Sequence, residues 1–450
     1  MDVHPKTVFI TSFHPLISRN IIGTAVIRGL VERGCRVVII VPIYKVAYFR
    51  ERYGIPGVTI EGVETGPSIL TKRVGIFKRL AEAMPNTERA AIGRKRTLTG
   101  NLKSPVRYFL FYVPAGFFGR FRWFVGFVRG LDFYFSPRGR FKGLLAKHRP
   151  SLVFSTDAQN ENDVALMQDA RRAGIPSIGM VRSWDNLTTR MLRFVPERVI
   201  VHNEIIRDEA VHVQGVPRDQ ITVLGIPHYD KYFKDTPLEK KAFLESIGAN
   251  PEKPLILYIP LCDYRLAKNN VDRFVMEILS GFDATTVVRF PPAETVSIEG
   301  FVKPTNVLFD RPGHVFTDAN VGDRDLTSED DTRYMNLLAS ADVVIGGPST
   351  FVIDAALFDT PIVLVDFYPE EVSDGERIYE YGAEHFERIL KTGGVRRTRT
   401  KEEFMKWVKE YFKNASIDHE GRARIVQEQC GATDGGASAR LVKAILSSVR

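Results

Sequence analysis

Val343-Val344-Ile345-Gly346-Gly347-Pro348-Ser349-Thr350-Phe351-Val352-Ile353-Asp354-Ala355-Ala356 is the stretch whose reading decides the fold. A short β-branched run enters a Gly-Gly-Pro turn, and a Ser/Thr pair then opens a helix with an acid one turn in. Ser349 reads as the N-cap, its hydroxyl satisfying one of the helix's free N–H groups. The remaining N–H groups and the positive end of the helix dipole are left for an anion. Thr350 and Asp354 are four apart and share a helix face. A phosphate beside Gly347, Ser349 and Thr350, with a ribose hydroxyl on Asp354, fits that spacing. The chain leaves through Asp359-Thr360-Pro361 into another buried strand, Ile362 to Asp366. A capped helix in an α/β domain with no ligand accounts for the motif about as well.

Around this stretch, short runs rich in Val and Ile alternate with amphipathic helices, the pattern of parallel sheets buried on both faces. Before it, strands are predicted at Leu255–Pro260 and Thr286–Phe290, and helices near Val271–Gly281 and Asp331–Ser340. Helix Lys401–Asn414 follows it. An earlier series predicts strands Thr7–Phe13, Arg36–Val41, Leu152–Thr156, Ser177–Val181, Arg198–His202 and Ile221–Leu224. Helices are expected over Ser18–Arg33, Glu161–Ala173 and Glu204–Gln214. At 450 residues two domains are the prior. The expected division is an N-terminal domain over 1–228, a linker over 229–253, a C-terminal domain over 254–432 and a final helix over 433–450. The fold class is α/β: two doubly wound domains facing a cleft, the last helix crossing back to the first domain. Ligands in such sheets bind beyond the carboxyl ends of the strands.

Composition narrows the class. Apolar residues make up 44% and charged residues 26%, ordinary for a globular protein. Cys35, Cys262 and Cys430 are odd in number, far apart and lack zinc spacing, so buried thiols in a reducing compartment are expected. The chain opens towards a strand and not a basic, apolar leader, which predicts a cytoplasmic protein. The net charge of +8 is uneven. Residues 71–150 hold 18 Lys/Arg against Glu82, Glu88 and Asp132, a local +15 that leaves about −7 for the rest.

Three further motifs carry a resemblance. Ser183-Trp184-Asp185-Asn186-Leu187-Thr188-Thr189 resembles a Ser-x-Asp-Asn-x-Thr signature of bacterial and archaeal GT-B glycosyltransferase-like proteins near the CDP-glycerol glycerophosphotransferase and UDP-GlcNAc 2-epimerase groups. Gly225-Ile226-Pro227-His228-Tyr229-Asp230 resembles their Gly-x-Pro-x-x-Asp turn, and Asp434-Gly435-Gly436-Ala437-Ser438-Ala439-Arg440 the start of their last helix. The resemblance implies two Rossmann-like domains and places the nucleotide on the opening motif. The chain departs from those proteins twice. The ribose acid, usually Glu, is Asp354. The basic-His-Pro run after the second strand of the C-terminal domain is Arg289-Phe290-Pro291-Pro292, without the His. Arg289 can still neutralise phosphate charge.

An inverting sugar transfer needs a base on the acceptor hydroxyl and positive groups or dipoles on the leaving diphosphate. His14, in the turn after the first strand, is the first candidate base, since histidine titrates near neutral pH. Asp185 is the second; an Asx-turn holding its own loop is the alternative. Arg19 and Asn20, at the start of the first helix, suit acceptor or phosphate. Asp157 follows a strand and suits a cap through to Asn160 at least as well as a cleft contact; His202, Asn203 and His228, which end a strand or lie in the hinge turn, suit cleft contacts but are read singly as structural. Trp184 and Asn186 suit substrate contact or packing, and Ser373-Asp374 approaches the donor sugar or forms a turn. Asp323-Arg324-Asp325 is a literal Asp-x-Asp triplet, read here as a solvated loop. No metal ligand set and no cofactor is expected beyond the donor, a nucleotide-sugar expected to be UDP-linked.

Between Pro105 and Phe141 thirteen aromatic residues are interleaved with Arg107, Arg120, Arg122 and Arg129. The longest uncharged run, Tyr108–Gly119, is shorter than the roughly 20 residues of a bilayer span. A segment in the membrane interface is expected, aromatics in the headgroup region and cations on anionic lipid. Packing on the first domain is the next reading, and single-stranded nucleic acid the weakest. These expectations describe a glycosyltransferase acting on a cell-surface glycan or lipid-linked acceptor at the inner membrane face. The rivals are a CDP-glycerol-type phosphotransferase, an epimerase, and a non-catalytic membrane-bound nucleotide-binding scaffold.

Overall fold

A computed structural model describes residues 6–65, 72–99, 105–263, 270–292, 294–316, 324–373 and 377–449. The chain forms two compact units, residues 1–233 with 431–450, and residues 234–430.

The first unit holds seven strands: β1 (Thr7–Thr11), β2 (Arg36–Pro42), β3 (Val58–Val63), β4 (Leu152–Ser155), β5 (Ser177–Met180), β6 (Arg198–Val201) and β7 (Ile221–Val223). They pair in parallel in the order β3-β2-β1-β4-β5-β6-β7. The strand order turns back between β1 and β4, so that is the switch point where open α/β sheets take ligands. Strands β1, β2 and β4 are buried on both faces, which explains their continuous apolar runs. Edge strand β3 is only half-buried and escaped the hydrophobic pattern. The helix expected over Ser18–Arg33 is broken. Ser18–Ile22 is a π-type turn in which Gly23 N donates to Ser18 O (2.7 Å), and a new helix starts at Ala25 under the Thr24 cap.

The second unit holds β8 (Leu255–Ile259), β9 (Thr285–Arg289), β10 (Val307–Asp310), the short hairpin β11 (His314–Val315) and β12 (Arg324–Asp325), then β13 (Val343–Gly346), β14 (Ile362–Val365) and β15 (Arg396–Thr398). Its parallel sheet runs β10-β9-β8-β13-β14-β15, with the switch between β8 and β13. The quoted stretch therefore lies at that switch. The stretch 229–253, expected as linker, contains helices Tyr229–Lys234 and Lys240–Ser246, the second capped by the Glu239 carboxylate. Phe243 and Leu244 are buried, and that burial keeps it folded.

Two of the motifs meet inside the first unit. The Asp230 carboxylate accepts from the N–H groups of Ala437 (2.8 Å) and Ser438 (2.7 Å), anchoring helix Ala437–Ser448. Arg440 donates to Leu224 O (2.9 Å) and pairs with Asp434. The helix then buries Leu441, Val442, Ala444 and Ile445 in the sheet's core. These signature residues are structural clamps.

The basic stretch between β3 and β4 is helical: Lys72–Ala83, Glu88–Thr99, Val113–Phe118, Arg122–Phe135 and Lys142–His148, with a π-type turn at Tyr108–Tyr112. It has a small core of its own, including Ala81, Met84, Ala115, Val125 and Val128. Asp132, one of its few acids, makes a bidentate pair with Arg193 (2.7 and 2.8 Å), both residues being buried. Outside that core its aromatics face outward: Phe109, Phe117, Trp123, Phe127 and Tyr134 are each more than half exposed. Among the described residues no helix is long and apolar enough to cross a membrane.

Candidate functional site

The carboxyl edge of the first unit's sheet gathers polar side chains, because each strand's last residue hands over to a turn there. His14 follows β1, Asp157 follows β4, Arg182 and Asp185 follow β5, His202 follows β6 and His228 follows β7. Arg182 Nε donates to Asp157 Oδ2 (2.8 Å), and the N–H of Gln159 donates to Asp157 Oδ1 (3.1 Å). Burial pushes the Asp157 carboxyl up, but the charges of Arg182 and Arg190 outweigh it and hold it below the usual carboxylate range. Asp163, beneath, accepts from the hydroxyls of Thr11 and Ser155. Its complete burial and the charge of Asp157 push it up to about 8, so it is a neutral acid at physiological pH.

The three histidines are all neutral. Burial and the Arg182 charge lower His14 to about 3, and the same causes lower His202 to about 4. Burial and Arg19 hold His228 well below its ordinary value, and among the described residues neither of its ring nitrogens has a hydrogen-bond partner. His14 Nδ1 accepts from the N–H of Leu16 (3.2 Å). A neutral ring accepting at Nδ1 carries its proton on Nε2, so the outer nitrogen of His14 is a donor. Arg19 Nε donates to Asn20 Oδ1 (3.1 Å) in the π-type turn.

Asp185 stands in a different setting. It is half-buried, and its Oδ1 accepts from Ser183 Oγ (2.6 Å). Its backbone carbonyl accepts from the hydroxyls of Thr188 (3.1 Å) and Thr189 (2.8 Å). Asn186 Oδ1 takes the N–H of Ser183 (2.7 Å), so Asn186 shapes the loop. Trp184 is buried at 8% exposure, packed and not presented for stacking. Asp185 lines a cavity of about 310 Å³ together with Asn186, Arg89, Arg94, Tyr112 and Arg190. Arg190 joins the two settings, since it lines this cavity and its charge also acts on His14 and Asp157.

In the second unit the quoted stretch begins as read and its helix starts late. The helix is Phe351–Leu357, with Thr350 at the N-cap and no side chain accepting there. The Ser349 hydroxyl, expected to cap the helix, does not do so: the turn is already helical at Thr350 (φ −60°, ψ −22°) and closes through the carbonyls of Ser349 and Thr350. Thr350 is exposed and Ser349 half-buried. A Cβ on Gly346 would lie 2.7 Å from Ile259 O and from the Phe351 ring, and one on Gly347 3.0 Å from Leu261. Gly346 is required by its close approach to the backbone at the end of β8, while Gly347 packs tightly on the Leu261 side chain. Asp354 is buried and accepts from Tyr334 Oη (3.2 Å). Arg289 is buried in an ion pair with Asp310, donates to Asp330 O (3.2 Å) and lies over the Tyr334 ring at 4.7 Å. Phe290, where the resembled proteins carry His, is buried beneath the Arg311 guanidinium (3.8 Å). Ser373 is exposed; Asp374 and Asp323 lie outside the described residues, and Asp325 is buried in the β11–β12 hairpin. Among the described residues no group of three His, Cys, Asp or Glu could hold a metal.

Arg182, Arg190, Gln159 and Asp163 were not singled out from sequence, nor were Tyr334 and Asp310. Arg182 was within reach of the rule that found His14, being two residues beyond a strand's carboxyl end.

Two doubly wound parallel sheets, each with polar groups or a glycine turn at its switch point, define the GT-B class. Solved structures agree on the fold. UDP-GlcNAc 2-epimerase from Neisseria meningitidis bound to UDP-GlcNAc superposes with a TM-score of 0.58 at 10% identity, covering 98% of this chain and 100% of that one. A UDP-N-acetylglucosamine 2-epimerase from Listeria monocytogenes gives 0.56 at 12%, covering 99% and 96%. CalG4, the calicheamicin glycosyltransferase, gives 0.50 at 10%, covering 99% and 98%. No curated protein matches by sequence. The family model of CDP-Glycerol:Poly(glycerophosphate) glycerophosphotransferase matches residues 181–447, and the chain belongs to that family. It is an enzyme, a transferase of GT-B type.

Proposed function

We propose that this enzyme transfers a sugar from a nucleoside-diphosphate donor, with inversion, to a glycan or lipid-linked acceptor at the inner face of the membrane. The observation that carries the choice of sugar is Phe290. It fills the position beside Arg289 with a buried ring, so the chain has no imidazole there to act on a transferring phosphoryl group. In the second unit Gly347, Ser349 and Thr350 are the proposed diphosphate contacts, their side chains making no helix cap. Asp354, Tyr334 and Arg289 are linked in turn through the Tyr334 hydroxyl and ring, and Asp354 is assigned to the ribose. UDP is the expected nucleotide, since two of the solved relatives are named with UDP or UDP-GlcNAc bound. In the first unit Asp185 is the proposed base. It faces a cavity, its carboxylate is oriented by Ser183, and arginines beside it suit a phosphate-bearing acceptor. The acceptor O–H gives its proton to Asp185 as oxygen bonds to the sugar's anomeric carbon, and the bond to the diphosphate breaks with its electron pair on the nucleotide. His14 is too weak a base at about 3, and its Nε2–H is assigned instead to donating a hydrogen bond to acceptor oxygen. Arg19, Asn20, Asp157 and His228 shape the same edge. The outward aromatics and the local positive charge of 71–150 support the membrane location.

Family membership favours a second reading, transfer of glycerol phosphate from CDP-glycerol. Thermal shift with UDP, CDP, GDP, their sugar conjugates and CDP-glycerol separates the two. A ligand at 100 times its Kd stabilises by about 2.7 kcal/mol. A shift selective for one nucleotide-sugar supports the proposal, and a shift selective for CDP-glycerol replaces it with the second reading.

A further inference from the structure

A second cavity in the first unit, of about 380 Å³, is lined by Arg120, Arg122, Arg129 and His212 on its polar side. Among the described residues no carboxylate lines it. Arg129 Nε donates to Leu192 O (2.8 Å) and Arg129 Nη2 to Gln214 O (2.9 Å), and no acid among the described residues pairs with it. Burial lowers the guanidinium to about 10. A half-buried guanidinium whose partners are carbonyls is left short of counter-charge, which an anion entering the cavity would supply. Arg120 and Arg122 are exposed at the mouth, and Arg122 donates to Val211 O (3.4 Å). The chain around them carries Phe117, Phe118, Phe121 and Trp123, all exposed and touching one another edge-on or tilted. Such a rim is what a free phosphate does not need and a lipid surface does. Aromatic rings settle in the headgroup layer, while arginine forks bind phosphate oxygens in pairs.

We propose that this cavity holds the phosphate head group of an anionic phospholipid, with the Phe117–Trp123 corner set in the membrane interface around it. The proposal rests on the membrane location above and gives it a defined site in place of a diffuse charge.

The test is flotation of the full chain with vesicles of phosphatidylcholine alone or with phosphatidylglycerol added. The double variant Arg120→Gln/Arg122→Gln is compared with Lys72→Gln/Arg79→Gln, which removes the same charge from exposed positions of helix Lys72–Ala83. Arg129→Gln is a third arm, read only if its melting is cooperative. The expected result is that phosphatidylglycerol recruits the wild type, the cavity double loses at least about tenfold in partitioning and the control loses much less. Equal losses in the two doubles, or no recruitment of the wild type, overturn the proposal. Nucleotide-induced thermal shifts in the same variants report on the transferase reading separately, since both doubles lie in the first unit and the proposed nucleotide contacts in the second.

Discussion

The carboxyl edges of the two sheets share one architecture and solve different problems. In the first unit the edge is built from side chains: three neutral histidines, a paired Asp157–Arg182 and an Asp185 facing a cavity. In the second it is built from backbone: two glycines pressed against β8, a helix start with no side-chain cap, and charges already paired internally. An edge of side chains suits proton transfer and orientation of an acceptor. An edge of bare backbone suits a diphosphate, which N–H groups can approach closely.

That contrast can be broken or sharpened by substitution. The largest effect is expected at Asp185. Asp185→Asn keeps an oxygen that accepts from Ser183 Oγ and removes the proposed base, so kcat should fall by about 10²–10⁴ with Kd for nucleotide unchanged. His14→Gln should cost less, because only a hydrogen bond is lost. An equal loss at both would return His14 to the role of base. Next is Gly346→Ala, whose methyl group has backbone on one side and the Phe351 ring on the other. A loss of about 1–3 kcal/mol in chemical denaturation is expected, and an unchanged midpoint would show the turn to be looser than described. A further effect, small at any one pH step, is pH-dependent. Asp163 is raised in the folded state to about 8 and ionises near 4 when unfolded. The folded state therefore binds more protons across that window, and wild-type stability falls as pH rises through it. Asp163→Asn keeps an acceptor for Thr11 and Ser155 without the titration. Its stability relative to wild type should rise by on the order of 1 kcal/mol per pH unit between pH 5 and 8. A pH-independent difference would mean that Asp163 is ionised in the fold.

Much of this frame was legible from the chain alone. Buried parallel strands announce themselves as Val/Ile runs, and β1, β2, β8, β13 and β14 fall within a residue or two of where the pattern puts them. Edge strands β3, β10 and β15 did not, because only part of each is buried and short polar runs look like loops. The break at Gly23 turns on one i to i+5 hydrogen bond, which periodicity does not report. The candidate residues His14, Asp157 and Asp185 were legible by position, because each follows the end of a strand. Their protonation was not, since His14 is neutral through burial and the Arg182 charge, and both depend on residues far apart in sequence. Asp230 and Arg440 carried the resemblance as parts of a turn and a helix start, and the contact between those two motifs, which holds the last helix, was not legible from either.

The central claim is that nucleotide binding belongs to the second unit and proton transfer to the first. Calorimetric titration of UDP and CDP into wild type, Asp185→Asn and Thr350→Glu tests it directly. Thr350 is exposed, so the added carboxylate disturbs no packing and repels a diphosphate. The account predicts that Asp185→Asn binds nucleotide as the wild type does, while Thr350→Glu loses at least about tenfold, 1.4 kcal/mol. Nucleotide binding abolished by Asp185→Asn, or untouched by Thr350→Glu, would contradict it.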